Sequence, residues 1–338
     1  MSVSLSLRPC PALAPRLSRN LRASFARSLI APPKSKAKMP LPAVPSTATP
    51  VSPAPMRPSP STTLSALASQ TALAPPPAVQ PVEKKLSVIE ASKRLAAWTA
   101  VDKHIRPEHK VIGIGSGSTV PYVVERIIAQ GEDVNRDRVF LPTGFQSKEL
   151  IVKGNLRLGD VDQYPVIDVT IDGADEVDAD LNCIKGGGAC HLREKVLAEA
   201  AVTFVVVADY RKNSEVLATN YKKGVPIEVA PFAYAKLLQN LHNLGSPAAA
   251  LRMATQKAGP VVSDNGNFVI DAPFPEEQMR DPYTLLTKIK MLTGVVEVGL
   301  FCHMVKAAYF GNEDGSVTVK WDTGSVHQVD KPVSPEIA

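Results

Sequence analysis

The chain reads as an α/β protein, an open sheet of mostly buried strands with helices between them, joined to a second and smaller α+β unit. Three observations predict this. Short β-branched runs, Val111-Ile112-Gly113-Ile114-Gly115, Val166 to Ile171 and Thr203 to Val207, each end in a turn rich in glycine or acids. Helical spacing fills the stretches between them. From about Pro226 the rhythm changes to shorter strands and helices in close succession. Residues 83–225 with 305–325 are expected to form the first unit and residues 226–304 the second, behind an extension over residues 1–82.

That extension has no Asp or Glu, nine Lys or Arg and 17 of the 30 prolines. The net charge of +5 is therefore a tail of +9 on a body of −4, so the basic pI of 8.9 implies no nucleic-acid partner. Residues 1–30 have the Arg, Ser and Leu composition of an organelle presequence, and residues 31–82 are too rich in Pro, Ala and Ser to offset the entropy of ordering. A disordered tail on a cytoplasmic protein and import into an organelle both fit that composition. The body holds Cys183, Cys190 and Cys302, an odd number without metal spacing. Its longest apolar run, near Val202 to Ala208, is far shorter than the roughly 18 residues of a membrane helix.

Along the chain, Leu86 to His104 has helical spacing, with Ile89, Leu95, Ala96 and Val101 as its apolar face and Lys93 off it. The strand at Val111 runs into Ser116-Gly117-Ser118-Thr119 and then a helix through Tyr122, Val123, Ile127 and Ile128, with Pro121 in its first turn. Exposed amides, hydroxyls and the positive end of a helix dipole make such a turn an anion cradle. Ser118 stands where a dinucleotide fingerprint needs glycine, and the turn lacks the lysine of a Walker motif. A small phosphorylated molecule remains. After a strand at Val139 to Thr143 comes the central stretch, then Thr203 to Val207 with Lys212 just beyond its carboxyl end. In the second unit a strand (Ile227 to Val229), a helix (Phe232 to Leu241), strands near Leu251 and Phe268, a helix (Pro282 to Leu292) and a strand (Val295 to Leu300) are expected. Asp264-Asn265-Gly266 has hairpin chemistry. The chain then rejoins the first unit through Ala307 to Phe310 and Val317 to Trp321.

The central stretch, residues 167–195, concentrates the chemistry. A strand through Val166, Val169 and Ile171 ends at Asp172, and ligands of open α/β sheets sit at carboxyl strand ends. Asp172 and Asp175 bracket the small Gly173 and Ala174. Lys185 leads into Gly186, Gly187 and Gly188, whose amides can turn together toward an anion. Glu194 falls in the first turn of a helix through Val196, Leu197 and Ala200. A calcium loop over Asp178, Asp180 and Asn182 fails, because Cys183 replaces its glycine and Ala189 its bidentate glutamate.

Read together and in this order, GIGSGST, IDGADEVD, KGGGAC..REK and ADYRK resemble the ribose-5-phosphate isomerase type A family, from about Lys85 to Trp321. LPTGFQS, KAGPVVSDNGNFVID and YFGNEDGSV resemble its eukaryotic branch. The resemblance implies a Rossmann-like domain with a ferredoxin-like α+β domain inserted near its C-terminal end. It implies substrate contacts at Lys93, at Ser116, Gly117, Ser118 and Thr119, at Asp172, Gly173, Ala174 and Asp175, at Lys185, Gly186, Gly187 and Gly188, and at Lys212, with Glu194 as the general base. The implied partners are ribose 5-phosphate and ribulose 5-phosphate, with a second copy or copies of the chain in a dimer or tetramer, and no metal or redox cofactor is required. Deaminases and acyl-CoA transferases share a related fold, but the pairing of DGAD with KGGG argues against them. A non-catalytic sensor of sugar phosphates would bind ligand without isomerising it.

The resemblance gives each residue type a task. Proton transfer between C1 and C2 through an enediolate needs one carboxylate base, the part of Glu194, and fixed donors for the oxyanion, the part of Lys185 and the glycine amides. Asp172 and Asp175 are expected to handle hydroxyl protons. Because residues 1–82 cannot build a core, a truncation that begins at residue 83 is expected to keep kcat, KM and melting temperature unchanged. Steady-state kinetics and thermal melts of both lengths check this, and lost activity would mean the tail packs on the body.

Overall fold

The structure, a computed structural model, describes residues 86–329, so the expected extension over residues 1–82 lies outside the described residues. The chain opens with α1 (Val88–His104), β1 (Val111–Ile114), α2 (Val120–Ala129), α3 (Glu132–Asn135), β2 (Val139–Pro142) and α4 (Phe145–Lys153). The central stretch gives β3 (Ile167–Asp172), β4 (Glu176–Val177), β5 (Cys183–Ile184) and α5 (His191–Ala200), followed by β6 (Ala201–Asp209). Next come β7 (Val225–Val229), α6 (Tyr234–Leu244), β8 (Ala250–Leu251), β9 (Phe268–Ala272), α7 (Glu276–Met279), α8 (Pro282–Lys290), β10 (Val295–Val298) and β11 (Leu300–Phe301). Three strands finish the fold, β12 (Ala307–Gly311), β13 (Val317–Trp321) and β14 (Val326–Val329).

Seven strands form the main sheet in the order β14-β13-β12-β6-β3-β1-β2. Its last five run parallel, with Ile112 against Val169 and Ile171 against Val205, and β13 and β14 add antiparallel. Parallel strands need both faces covered. One face is covered by α1 and α2, where Ala96, Ala97, Ala100, Val123 and Ile127 meet Ile112, Ile114, Val205 and Tyr309. The alanines allow a close approach, and a Cβ on Gly311 would lie 1.9 Å from the Ser92 carbonyl oxygen. On the other face α5 packs Leu197 against Val139, Leu141 and Ile167.

The smaller unit follows the order β7-α6-β8-β9-α8-β10 and pairs as β10-β7-β9-β8, the ferredoxin-like βαββαβ arrangement. It has its own core around Ile227, Leu237, Leu241, Ile270, Leu285 and Ile289. Because β6 and β12 are adjacent and parallel, this whole unit sits in the crossover between two neighbouring strands. A third, short sheet, β11-β5-β4, ties its exit to the central stretch.

Four local expectations are corrected. Val166 is exposed and precedes β3. Residues Pro231–Ala233 form a 3₁₀ turn rather than α-helix, with Phe232 in solvent, and the α-helix runs on to Leu244. The single strand expected over Val295 to Leu300 splits at Gly299, whose N–H donates to Pro226 O while its carbonyl accepts from Lys185 N. Lys93, expected off the apolar face of α1, is buried. Its ammonium is held 2.7 Å from Glu90, which also accepts the Tyr122 hydroxyl from α2, so the charge goes inside as a pair.

Candidate active site

The carboxyl ends of β1, β3 and β6 open onto one cleft of about 370 Å³. Ser116, Gly117, Ser118 and Thr119 line it from β1, Gly173, Ala174 and Asp175 from β3, and Lys212 from just beyond β6. Lys185, Gly186, Gly187, Gly188 and Glu194 close it from the segment between β5 and α5. All of these were expected at the site. A larger groove of about 1520 Å³ between α1 and the β13–β14 hairpin carries none of this cluster.

At the floor, the Lys185 ammonium lies 2.8 Å from Asp172 and 3.3 Å from Glu194, and it donates to the Gly173 carbonyl. Lys185, Asp172 and Glu194 are all at most 4 % exposed. One cation thus faces two carboxylates away from water. Burial alone would push the Lys185 ammonium down, but Asp172 and Glu194 more than reverse this and hold it charged above its usual range. Glu194 is pushed up to about 7, first by burial and then by the negative charge of Asp172, against the opposing pull of Lys185 and of the Ser116 hydroxyl that donates to it. A carboxylate in that range can take and return protons near neutral pH.

Asp172 does not line the cleft. It is fully buried, accepts the Ser116 N–H at 2.8 Å and the Gly173 N–H at 2.7 Å through one oxygen, and turns the other to Lys185. Gly115 follows from this packing, since a Cβ there would lie 1.9 Å from the Asp172 carboxylate. Asp172 thus holds Lys185 and the Ser116 loop from behind, while Asp175, expected with it to handle hydroxyl protons, stands in the cleft wall. Lys93 also stays behind the wall, paired with Glu90.

Two of the presumed anion loops are partly occupied by the protein itself. The Ser116 amide is taken by Asp172 and the Gly117 amide by Gln146, whereas those of Ser118 and Thr119 donate to no acceptor among the described residues. They precede α2, with its Pro121 in the first turn as expected. In the glycine triplet, Asp175 accepts the Gly187 N–H at 2.7 Å, and a Cβ on Gly187 would meet that carboxylate at 2.5 Å. Arg252 draws the Gly186 and Gly187 carbonyls back, donating at 2.9 and 3.1 Å, and is itself locked onto Asp271 of β9. That leaves the amides of Gly186 and Gly188 for a ligand, rather than all three.

The sequence reading missed Gln146, Cys190, Asp209 and Asp264, which also line the cleft. Asp209 and Gln146 stood inside ADYRK and LPTGFQS, but without a role; Asp264 was read only as a hairpin turn. Cys190 precedes α5, and burial, with Glu194 and Asp264 adding to it, pushes its thiol up to about 12. That makes it a poor nucleophile. Among the described residues no group of three or more His, Cys, Asp or Glu is arranged to hold a metal ion.

Residues 139–315 match the family model of ribose 5-phosphate isomerase A (phosphoriboisomerase A). The ribose-5-phosphate isomerase of Cryptococcus neoformans var. neoformans serotype D is 72% identical over 252 residues, covering 72% of this chain and 83% of the relative. That of Schizosaccharomyces pombe is 59% identical over 256 residues, covering 75% and 92%. A solved D-ribose-5-phosphate isomerase in complex with phospho-erythronic acid superposes with a TM-score of 0.61 at 35% identity, covering 72% of this chain and 99% of that one.

The arrangement predicts that the Glu194 carboxyl, followed by carbon-detected NMR, titrates with a midpoint near 7. Ser116→Ala removes a donor to the ionised form, so the midpoint is expected to move to higher pH. A downward move would contradict the assignment of that hydrogen bond.

Proposed function

We propose that in this chain, which belongs to the ribose 5-phosphate isomerase A family, Glu194 is the base that carries a proton between C1 and C2 of the substrate. The chain is a ribose-5-phosphate isomerase and interconverts ribose 5-phosphate and ribulose 5-phosphate, a step of the non-oxidative pentose phosphate pathway. The single observation that carries the assignment of roles is the buried pair of Glu194 and Lys185 on the cleft floor, backed by Asp172 and beside loops with unused amides.

In the forward direction Glu194 takes the C2 proton, and the electrons move onto the C1 oxygen to give an enediolate. Lys185 and the Gly186 and Gly188 amides meet that charge, where a fixed donor in a dry site typically contributes about 10²–10³ in rate. A hydroxyl proton then shifts between O2 and O1, a task for Asp175, and Glu194 returns its proton at C1. No net change in oxidation state of the whole molecule occurs. Ser118, Thr119 and the α2 N-terminus, with the Lys212 ammonium across the cleft, receive the phosphate. A solved relative at 35% identity is a complex with phospho-erythronic acid, a compound that pairs a carboxylate with a phosphate and so has the two charged ends this reading calls for.

Two outcomes test the roles. Glu194→Gln keeps the shape and removes the base, so kcat is expected to fall by at least about 10²–10⁴ while ligand affinity stays within about tenfold; a variant with near-normal kcat would sink the assignment. With wild-type enzyme, kcat/KM should fall as pH drops below about 7, once the second ionisation of the substrate phosphate near pH 6 has been divided out.

Lys185→Ala should lower kcat far more than it raises KM, since its charge is aimed at the enediolate. Ser118→Ala combined with Thr119→Val should do the reverse. Steady-state kinetics decides, and equal effects from the two variants would contradict the separation of the oxyanion from the phosphate.

A further inference from the structure

The second sheet reaches the Ser116–Thr119 loop through hydrogen bonds made by adjacent residues in two steps along the chain. Glu228 of β7 is fully buried, and its Oε1 accepts the Ser263 hydroxyl at 2.7 Å and the Asn265 and Asn267 amides at 2.9 Å each. Ser263 N also donates to Asn267 O at 2.8 Å and Gly266 N to Ser263 O at 2.9 Å. The turn from Ser263 to Asn267 is thus held from inside by one carboxylate, an arrangement stiff enough to aim a side chain.

That side chain is Asp264. Its Oδ2 accepts the Phe145 N–H at 3.0 Å, across 119 residues of sequence. Phe145 is the first residue of α4, whose N-cap, Gly144, offers no side chain, so Asp264 serves as a cap supplied from outside the helix. The contact is close, as a Cβ on Gly144 would lie 3.2 Å from Asp264 Oδ2 and 2.9 Å from Cys190 Sγ. The next residue, Gln146, is exposed and reaches back to the Ser116–Thr119 loop. Its Oε1 accepts the Gly117 N–H at 2.8 Å, and its Nε2 donates to the Gly117 carbonyl at 3.4 Å. Gly117 has φ +98°, a conformation that needs outside support to be held in one state.

We propose that Gln146 is a positioning residue that clamps Gly117 so that the neighbouring amides are aimed at the phosphate, and that Asp264, in the turn before β9 of the second sheet, sets the clamp by fixing the first turn of α4. This deepens the reading that Ser118 and Thr119 receive the phosphate, and it rests on that reading. The pair makes the inserted unit a part of substrate recognition rather than a separate body.

The test uses the full chain and measures kcat, KM for ribose 5-phosphate and Ki of inorganic phosphate. Gln146→Ala, at an exposed position that no core depends on, is expected to raise KM and Ki together by about three- to tenfold, the scale of one or two lost hydrogen bonds, with kcat within about twofold. Asp264→Ala should give a smaller rise in the same two constants, and Asp264→Asn, which keeps an acceptor for Phe145 N–H, a smaller one still. In the double variant Gln146→Ala with Asp264→Ala, the rise should not exceed that of Gln146→Ala alone, because both act along one path. Fully multiplicative effects would overturn the path, and a KM that rises without Ki would overturn the role of Gln146 at the phosphate. If Ser118→Ala with Thr119→Val raises KM but Gln146→Ala does not, the clamp is wrong and the phosphate reading stands. If the loop variant itself leaves KM and Ki unchanged, the phosphate reading falls first and the clamp with it.

Discussion

A single buried ammonium between two buried carboxylates sets the terms for the rest of the site. Taking three charges out of water is costly unless each has partners in good geometry, and two carboxylates against one lysine leave one unit of negative charge uncompensated. The imbalance does not fall evenly. Asp172 has two backbone N–H donors besides Lys185, whereas Glu194 has the Ser116 hydroxyl, so the cost appears on Glu194 as a carboxyl lifted to about 7. The same imbalance leaves a carboxyl that titrates in the neutral range at the cleft.

Holding that arrangement requires several backbones to converge within a few ångströms, and the topology supplies them. β3 ends at Asp172, β1 stops beside it with Gly115 leaving room for the carboxylate, and β5 delivers Lys185. Gly299 then fastens β5 to the exit of the second unit, taking the Lys185 N–H and donating to Pro226. Placing the ferredoxin-like unit in the β6 to β12 crossover brings Arg252 and Asp264 over the cleft from a part of the chain that has no strand in the main sheet. The inserted unit thus restrains both ligand loops, the glycine triplet through Arg252 and the Gly117 turn through α4.

Much of this was legible in the sequence where chemistry is concentrated along the chain. Asp172, Asp175, Lys185 and Glu194 lie within one stretch, bounded by strand-like and helix-like patterns, and the structure joins Asp172, Lys185 and Glu194 in one buried group with Asp175 in the cleft wall beside it. What sequence could not give was which side of the wall each residue takes. Asp172 and Asp175 look equivalent in DGAD, yet the first ends a buried strand and the second turns out into the cleft. Lys93 looked solvated because helical spacing records only the face of its own helix, and the partner that allows burial, Glu90 with Tyr122, depends on α2. Arg252, Gln146 and Asp264 escaped notice because their roles arise from contacts across 29 to 119 residues and from a short helix, α4, whose N-cap is a glycine.

A group titrating near neutral pH would ordinarily be sought among histidines. Here two buried histidines are removed from that role by desolvation. His191, the first residue of α5, lies against Gly186 with both ring nitrogens unpartnered among the described residues, and burial pushes it down to about 3. His104 beneath β12 is pushed down to about 4, again chiefly by burial. No histidine lines the cleft. The imidazole under the glycine loop therefore stays neutral wherever Glu194 changes charge, and the charge at the cleft floor is set by Lys185 and Glu194 with Asp172 behind them. The neutral-range group at the cleft is the Glu194 carboxyl, lifted first by its burial and then by the second acid that one lysine does not fully balance.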